Sequence, residues 1–397
     1  MNAAASIAAL DGAFVESFGL DAADVPLVEE AIGRLQDAAA AEAGLLPEGE
    51  TRILAYIRKH LGRLAALAAD RKSYPEIADV RIARPIILMG APRSGTTFFH
   101  SLLSQDPQFR SPLSWEVEFP SPPPEGAHLL DDPRVARWAE RQSGADATVG
   151  RDLRDKELLK KHLIGATLPE ECGIMLGASL RSPSGFWTLA RLTPYYRWLI
   201  DTQMEEAYRL HRRWLQHLQY RAPRPYWLLK YPLHTHALEA LKVAYPDAIL
   251  IETHRNPEET VSSFASLMST LRRGALAPED PSVIGHEMLE AQAEGVEKSM
   301  AYRARHGAGA ILDVGYEELL ADPLAAVARV YDQLGLALSA EAEERLATFL
   351  RENPQGKHGE HRHNLADYGL SPGEVRERMG AYLDAFAPLL DAREAAR

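Results

Sequence analysis

The stretch Ile86-Ile87-Leu88-Met89-Gly90-Ala91-Pro92-Arg93-Ser94-Gly95-Thr96-Thr97 decides the fold. Its unbroken apolar opening, Ile86 to Met89, reads as a short strand buried on both faces. A loop with Gly90 and Gly95 follows, and then an amphipathic run from Phe98 to Leu103. Strand, glycine-containing loop and helix in that order aim backbone N–H groups and the positive end of a helix dipole at one spot, which favours an anion. Arg93 adds a planar cation suited to phosphate-type oxygens, and Thr96 and Thr97 add hydroxyl donors. The spacing Gly90-x-x-x-x-Gly95-Thr96-Thr97 is that of a Walker A loop with Thr96 in the lysine's place. That lysine is missing, and no strand ends in an acid well placed for magnesium. ATP or GTP hydrolysis is therefore disfavoured, and an anion site that works without metal is expected.

Working outward, further buried runs occur at Tyr226–Leu229, Ala248–Ile251 and Ala310–Val314, the last followed by a helix-like segment from Pro323 to Leu334. Such runs alternating with helices predict an α/β fold, a P-loop-like three-layer domain with a central parallel sheet, over residues 83–397. An insertion at about 112–224, rich in Trp, Tyr and Pro, is expected to shape the acceptor side. Upstream, Leu27, Ala31, Ile32 and Leu35, then Ile53, Ile57, Leu61, Leu64 and Leu67, recur at helical spacing. Residues 1–82 therefore read as an N-terminal helical extension packed on the main domain.

Composition excludes some function classes. The 397 residues carry 44 Lys and Arg against 56 Asp and Glu, a net charge of −12. Nucleic-acid binding by blanket phosphate neutralisation is not expected, and an anionic ligand needs a local nest of cations. The single cysteine, Cys172, cannot form an internal bridge and points to a reducing compartment. The first basic residue is Arg34 and Asp11 interrupts the apolar N-terminus, so no signal peptide is read. No run approaches the roughly 20 apolar residues of a membrane span. A cytoplasmic chain without an integral membrane segment is expected.

A second cation follows the strand ending at Thr253: His254-Arg255-Asn256-Pro257-Glu258-Glu259. Asn256, Pro257 and Glu259 predict a helix start with a capping box. Ser263 then lies about 700° around and about 10 Å along from Asn256, on nearly the same face, while Ser262 is rotated by about 100°. Arg255 and Ser263 are thus expected to converge on one ligand.

These segments resemble sulfotransferases that use 3′-phosphoadenosine 5′-phosphosulfate (PAPS). Pro92-Arg93-Ser94-Gly95-Thr96-Thr97-Phe98 is similar to their 5′-phosphosulfate loop, in the arginine form of the bacterial and tyrosylprotein branches. Arg255, seven intervening residues and Ser263 resemble their 3′-phosphate element. The resemblance implies that Arg93, Ser94, Gly95, Thr96 and Thr97 hold the 5′-phosphosulfate, and Arg255 and Ser263 the 3′-phosphate. It implies a closing basic loop over Asn353–His363, with Lys357 and Arg362 as further 3′-phosphate contacts. The spacing of His358, His361 and His363 matches no zinc pattern, so no metal is expected. Tyr316, in Asp313–Leu319, and Phe98 stand where the family places adenine-contacting aromatics, although both equally suit a core.

Lys230 resembles the family lysine that helps the phosphate leave, and a strand's C-terminal end supports that role. For the base, the resemblance puts Glu116 first: with a two-residue shift it stands where the tyrosylprotein branch has its glutamate, and Trp115 beside it would raise its pKa by desolvation. His234 is second and His100 third, with Glu170 and Glu171 as acceptor-side residues. The reading is metal-independent sulfuryl transfer from PAPS, leaving 3′-phosphoadenosine 5′-phosphate (PAP), to a hydroxyl of a small molecule, lipid or glycan. It leaves room for a homodimer. Phe186, Trp187, Tyr195, Tyr196 and Trp198 suggest an aromatic acceptor wall, and the net acidity weighs against a polyanionic glycan. The rivals are a P-loop-type small-molecule kinase and a non-catalytic nucleotide-binding module.

Overall fold

A computed structural model describes residues 6–42, 44–143, 164–354 and 363–390. Its centre is a parallel sheet of β1 (Ile86–Gly90), β2 (Phe109–Arg110), β3 (Tyr226–Lys230), β4 (Ile249–His254) and β5 (Leu312–Gly315), in the order β2-β3-β1-β4-β5. The apolar runs form strands because both faces are covered. Ile86, Leu88, Leu228 and Ile251 pack with Phe99, Leu102, Val327 and Val330 on one side. Ile87, Met89, Leu229 and Leu250 join the other core. The strand β2 has only two residues, too short for a hydrophobic period, and went unread in the sequence.

The N-terminal helices Val25–Ala41 and Pro47–Ser73 bury the stripe expected of them, and Ile32, Leu35, Ile53, Ile57 and Leu61 belong to the same core as Ile87 and Met89. The expected helix Pro323–Leu334 forms with those bounds, capped by Asp322 and stopped by Gly335 at φ +67°. Among the described residues no helix is long and apolar enough to cross a membrane.

This topology fixes where a ligand site can form. After β1 the chain lays β2 at the sheet edge and β3 between the two, then returns to add β4 and β5 on the other side. The carboxyl ends of β1, β3 and β4 therefore border a crevice at the point where strand order reverses, the usual ligand position in open α/β sheets.

Candidate active site

Gly90 ends β1 at φ +143°, where a Cβ would meet the Thr253 carbonyl oxygen at 2.5 Å. The Gly90–Thr253 pairing thus brings the loop against β4, and Ser94 and Thr253 share a 2.6 Å hydroxyl contact. Ser94 is buried there and is spent on holding the loop. Gly95 caps the helix Thr96–Leu103 at φ +95°. A Cβ on it would lie 2.5 Å from the Tyr316 ring, so the absence of a side chain lets Tyr316 close on the loop. The first-turn N–H groups of that helix have no intrahelical acceptors and face the crevice end.

Arg93 takes φ +76°, a left-handed conformation uncommon for a residue with a side chain. The neighbouring Pro92 carbonyl accepts from Gln292 at 3.3 Å, and Thr260 in turn donates to Gln292 at 2.7 Å. In this conformation Arg93 Nε donates to Ser263 Oγ at 3.0 Å, while its carbonyl accepts from Arg255 Nη1 at 3.2 Å. The two arginines thus meet through Arg93 itself, with Ser263 on one side. Burial, and then the adjacent Arg255, lower the Arg93 pKa below its usual value. A desolvated guanidinium beside a second one favours an anion nearby.

Arg255 lies with its Cζ 4.0 Å from the Tyr316 ring centre and donates twice to Glu259, at 2.9 and 2.5 Å. The expected capping box is corrected by that contact. Asn256 does cap, accepting from Glu258 N at 2.9 Å, but Glu259 turns to Arg255 instead of reaching back to the cap. Ser262, as its rotation suggested, points elsewhere, meeting His363 Nδ1 at 2.8 Å. Lys357 and Arg362 lie outside the described residues, as do His358 and His361.

One cavity of about 420 Å³ gathers Arg93, Gly95, Thr96, Thr97 and Phe98 with Arg255 and Tyr316. Its other lining includes Glu170, Glu171, Trp187, Leu233 and Phe264. Lys230, ending β3, donates to Thr97 Oγ1 at 3.2 Å and pairs with the Glu171 carboxylate. Glu171 is the N-cap residue of the helix Cys172–Leu176, yet its side chain does not cap and turns to Lys230 instead. Glu170 accepts from Ser114 Oγ at 3.2 Å and from Glu171 N at 2.9 Å.

The residues ranked first as bases lie elsewhere. Glu116 is fully buried, paired through both oxygens with Arg110, and accepts from Leu113 N at 2.8 Å. It is outside the cavity lining and acts as a clasp under the loop after β2. His234 is also buried outside the lining, with Nδ1 2.7 Å from the Tyr208 hydroxyl. Burial, and then His211, hold its pKa well below the usual value, so it stays neutral. His100 contacts the Leu228 carbonyl at 3.2 Å, and burial followed by Lys230 brings its pKa to about 3. Of the five aromatics read as an acceptor wall, Trp187 lines the cavity, while Phe186, Tyr195 and Tyr196 are core and Trp198 lies beneath Arg181. Glu252, His254 and Asp313 cluster closely enough to suggest a cation site. There Arg303 supplies the positive charge, 2.8 Å from Glu252 and 2.6 Å from Asp313.

The parallel sheet, the glycine loop and the two arginines that meet at the strand-order reversal define an α/β protein with a cationic crevice. The sulfotransferase family profile matches residues 85–340, and the chain belongs to that family. The solved sulfotransferase STF9 of Mycobacterium avium is similar to it at 28% identity and a TM-score of 0.83, over 94% of each chain. The sulfotransferase STF1 of Mycobacterium tuberculosis is similar at 32% identity and a TM-score of 0.79, over 93% of this chain and 97% of that one. No curated protein matches the chain.

Proposed function

We propose that the chain transfers the sulfuryl group of PAPS, as donor substrate, to an acceptor hydroxyl. The observation that carries this is the meeting of Arg93 and Arg255 in one cavity with the N-terminus of the helix Thr96–Leu103 and the Tyr316 ring. Such a cavity suits a nucleotide with an anionic group at each end of its ribose. The 5′ end belongs to Arg93, Thr96 and Thr97, and the 3′ end to Arg255 and Ser263. On the family resemblance alone, Lys357 and Arg362 join the 3′ end, and Tyr316 and Phe98 take the adenine.

In the transfer, the acceptor oxygen bonds to sulfur as the bond from sulfur to the 5′-phosphate oxygen breaks. The acceptor's proton goes to a carboxylate, and the negative charge left on PAP faces a cation. Lys230 is that cation, because its ammonium already sits between Thr97 and Glu171. Glu171 is the base in place of Glu116 or His234, because its carboxylate lines the cavity beside Lys230 and theirs do not reach it. Positioning and charge complementarity supply most of the catalysis in this chemistry, as they do in phosphoryl transfer.

Calorimetric titration of PAP and ADP into the wild type and Arg255→Ala tests the reading. PAP is expected to bind at least tenfold more tightly than ADP, from one charge-assisted contact to the 3′-phosphate, on the order of 1.5–3 kcal/mol. That preference should vanish in the variant. Equal affinity for both nucleotides in the wild type would overturn it.

A further inference from the structure

The cavity continues past Glu171 into a region of different character. We infer that this region binds an apolar alcohol or phenol, so that the acceptor is a neutral lipophilic molecule rather than a sugar or an anionic glycan. The inference rests on the sulfotransferase reading for the reaction, but the geometry of the wall stands without it.

The wall is made by Ile174, Trp187, Phe264, Leu267, Met268 and Leu271. Phe264, Leu267, Met268 and Leu271 recur at three and four residues on the helix Pro257–Leu271, so they form one stripe about 10 Å long. That helix begins beside Arg255, and its stripe therefore leads directly away from the donor end. Leu267 and Leu271 are half-buried among the core residues, with surface left for a ligand.

Polar groups in this region are already engaged. Ser184 Oγ accepts from the Tyr231 hydroxyl at 2.9 Å, and Thr188 Oγ1 donates to the Gly185 carbonyl at 3.1 Å. A sugar needs several directed partners for its hydroxyls, and would leave them unpaired against this stripe. Glu170 and Glu171 line the same cavity, so an acceptor that brings a negative charge against either carboxylate is disfavoured.

The wall is also preformed. The Trp187 indole N–H donates to Glu287, and its ring stacks on Tyr196 at 4.3 Å. Buried Arg272, just past the helix end, binds Glu287 through both oxygens at 2.7 and 2.9 Å and donates to the Trp187 carbonyl at 3.0 Å. A rigid apolar surface takes an apolar ligand with little ordering cost, whereas an adaptable polar site would need mobile side chains.

The test uses 1-pentanol, 1-hexanol, 1-octanol and glucose as probes, titrated calorimetrically into the full chain with and without PAP. Each methylene is expected to tighten binding about fourfold, with a negative heat-capacity change, and glucose should give no saturable heat. The double variant Leu267→Gln, Leu271→Gln should lose at least tenfold in 1-octanol affinity while binding PAP like the wild type. With PAPS present, PAP release should rank the probes in the same order. No chain-length dependence, tighter binding of glucose, or unchanged octanol affinity in the double variant would each overturn the inference. Failure of PAP to bind would count against the donor reading alone, since the octanol titrations without nucleotide still read the wall.

Discussion

The two ends of the helix Pro257–Leu271 have opposite chemistry. Its N-terminal end sits among Arg93, Arg255, Ser263 and the cap Asn256, and its C-terminal half presents Phe264, Leu267, Met268 and Leu271 to the same cavity. At the first end, placement comes from backbone: a left-handed arginine, two glycines at positive φ and the amides of a neighbouring helix. At the second, it comes from side-chain packing locked by the Trp187–Glu287–Arg272 cluster. Between them lies the Lys230–Glu171 pair. Charge is thus gathered at one end of the helix and apolar surface at the other.

The largest effect is expected at the junction. Glu171→Gln should lower kcat by about 10²–10⁴-fold, the usual worth of a general base, and leave PAP affinity intact. Glu116→Gln should act differently. It leaves Arg110 buried with a weakened partner, and breaking a buried pair costs about 3–5 kcal/mol, so thermal unfolding should move down markedly. A stable Glu116→Gln enzyme with no turnover, beside an active Glu171→Gln enzyme, would reverse the assignment of the base.

A smaller effect should separate the two ends. In Gly95→Ala the new Cβ meets Tyr316 at 2.5 Å in a backbone conformation of φ +95° that disfavours side chains. PAP affinity, measured by calorimetry, should fall by about 5- to 150-fold, a strain of order 1–3 kcal/mol, while 1-octanol binding stays as in the wild type. Equal losses at both ends would mean that the loop and the apolar stripe are not independent.

The smallest effect per group is acid sensitivity, which the two ends should share. His100 lies on the helix Thr96–Leu103, His211 among Tyr208, Tyr245 and His234, and His236 against Tyr196. All three have pKa values lowered by burial to about 3. Their folded values lie below the unfolded value of about 6.5, so the unfolded chain takes up protons first as pH falls. Stability should be level above pH 7 and decline below about 6.5, by roughly 1 kcal/mol per pH unit for each histidine. Thermal melts between pH 8 and 5 measure this, and His100→Gln should flatten the slope. A slope unchanged in that variant would show that His100 takes up its proton as readily in the folded chain as in the unfolded one.

What the sequence revealed follows the same division. The loop from Gly90 to Thr97, the cap at Asn256 and the helix Pro323–Leu334 depend on neighbours within a few residues, so their patterns are legible. Helical rotation led to the expectation that Arg255 and Ser263 converge on one ligand; in the structure each contacts Arg93, with Ser263 outside the cavity lining. The capping box failed because Glu259 has a stronger partner in Arg255 one turn back. Glu116 looked like a base beside Trp115. Its commitment to Arg110, six positions earlier, required knowing that the chain turns back there. Glu171 stayed unranked because Lys230, its partner, arrives from a strand 59 positions away. The apolar stripe at 264, 267, 268 and 271 carries helical spacing, but a stripe facing a cavity has the same pattern as one facing a core.

The most direct test is a crystal structure of the chain with PAP bound. One PAP molecule should place its 5′-phosphate on the amides of Gly95 to Thr97 beside Arg93, and its 3′-phosphate against Arg255 and Ser263. Density for PAP outside this crevice, or with either phosphate turned away from its arginine, would contradict the account.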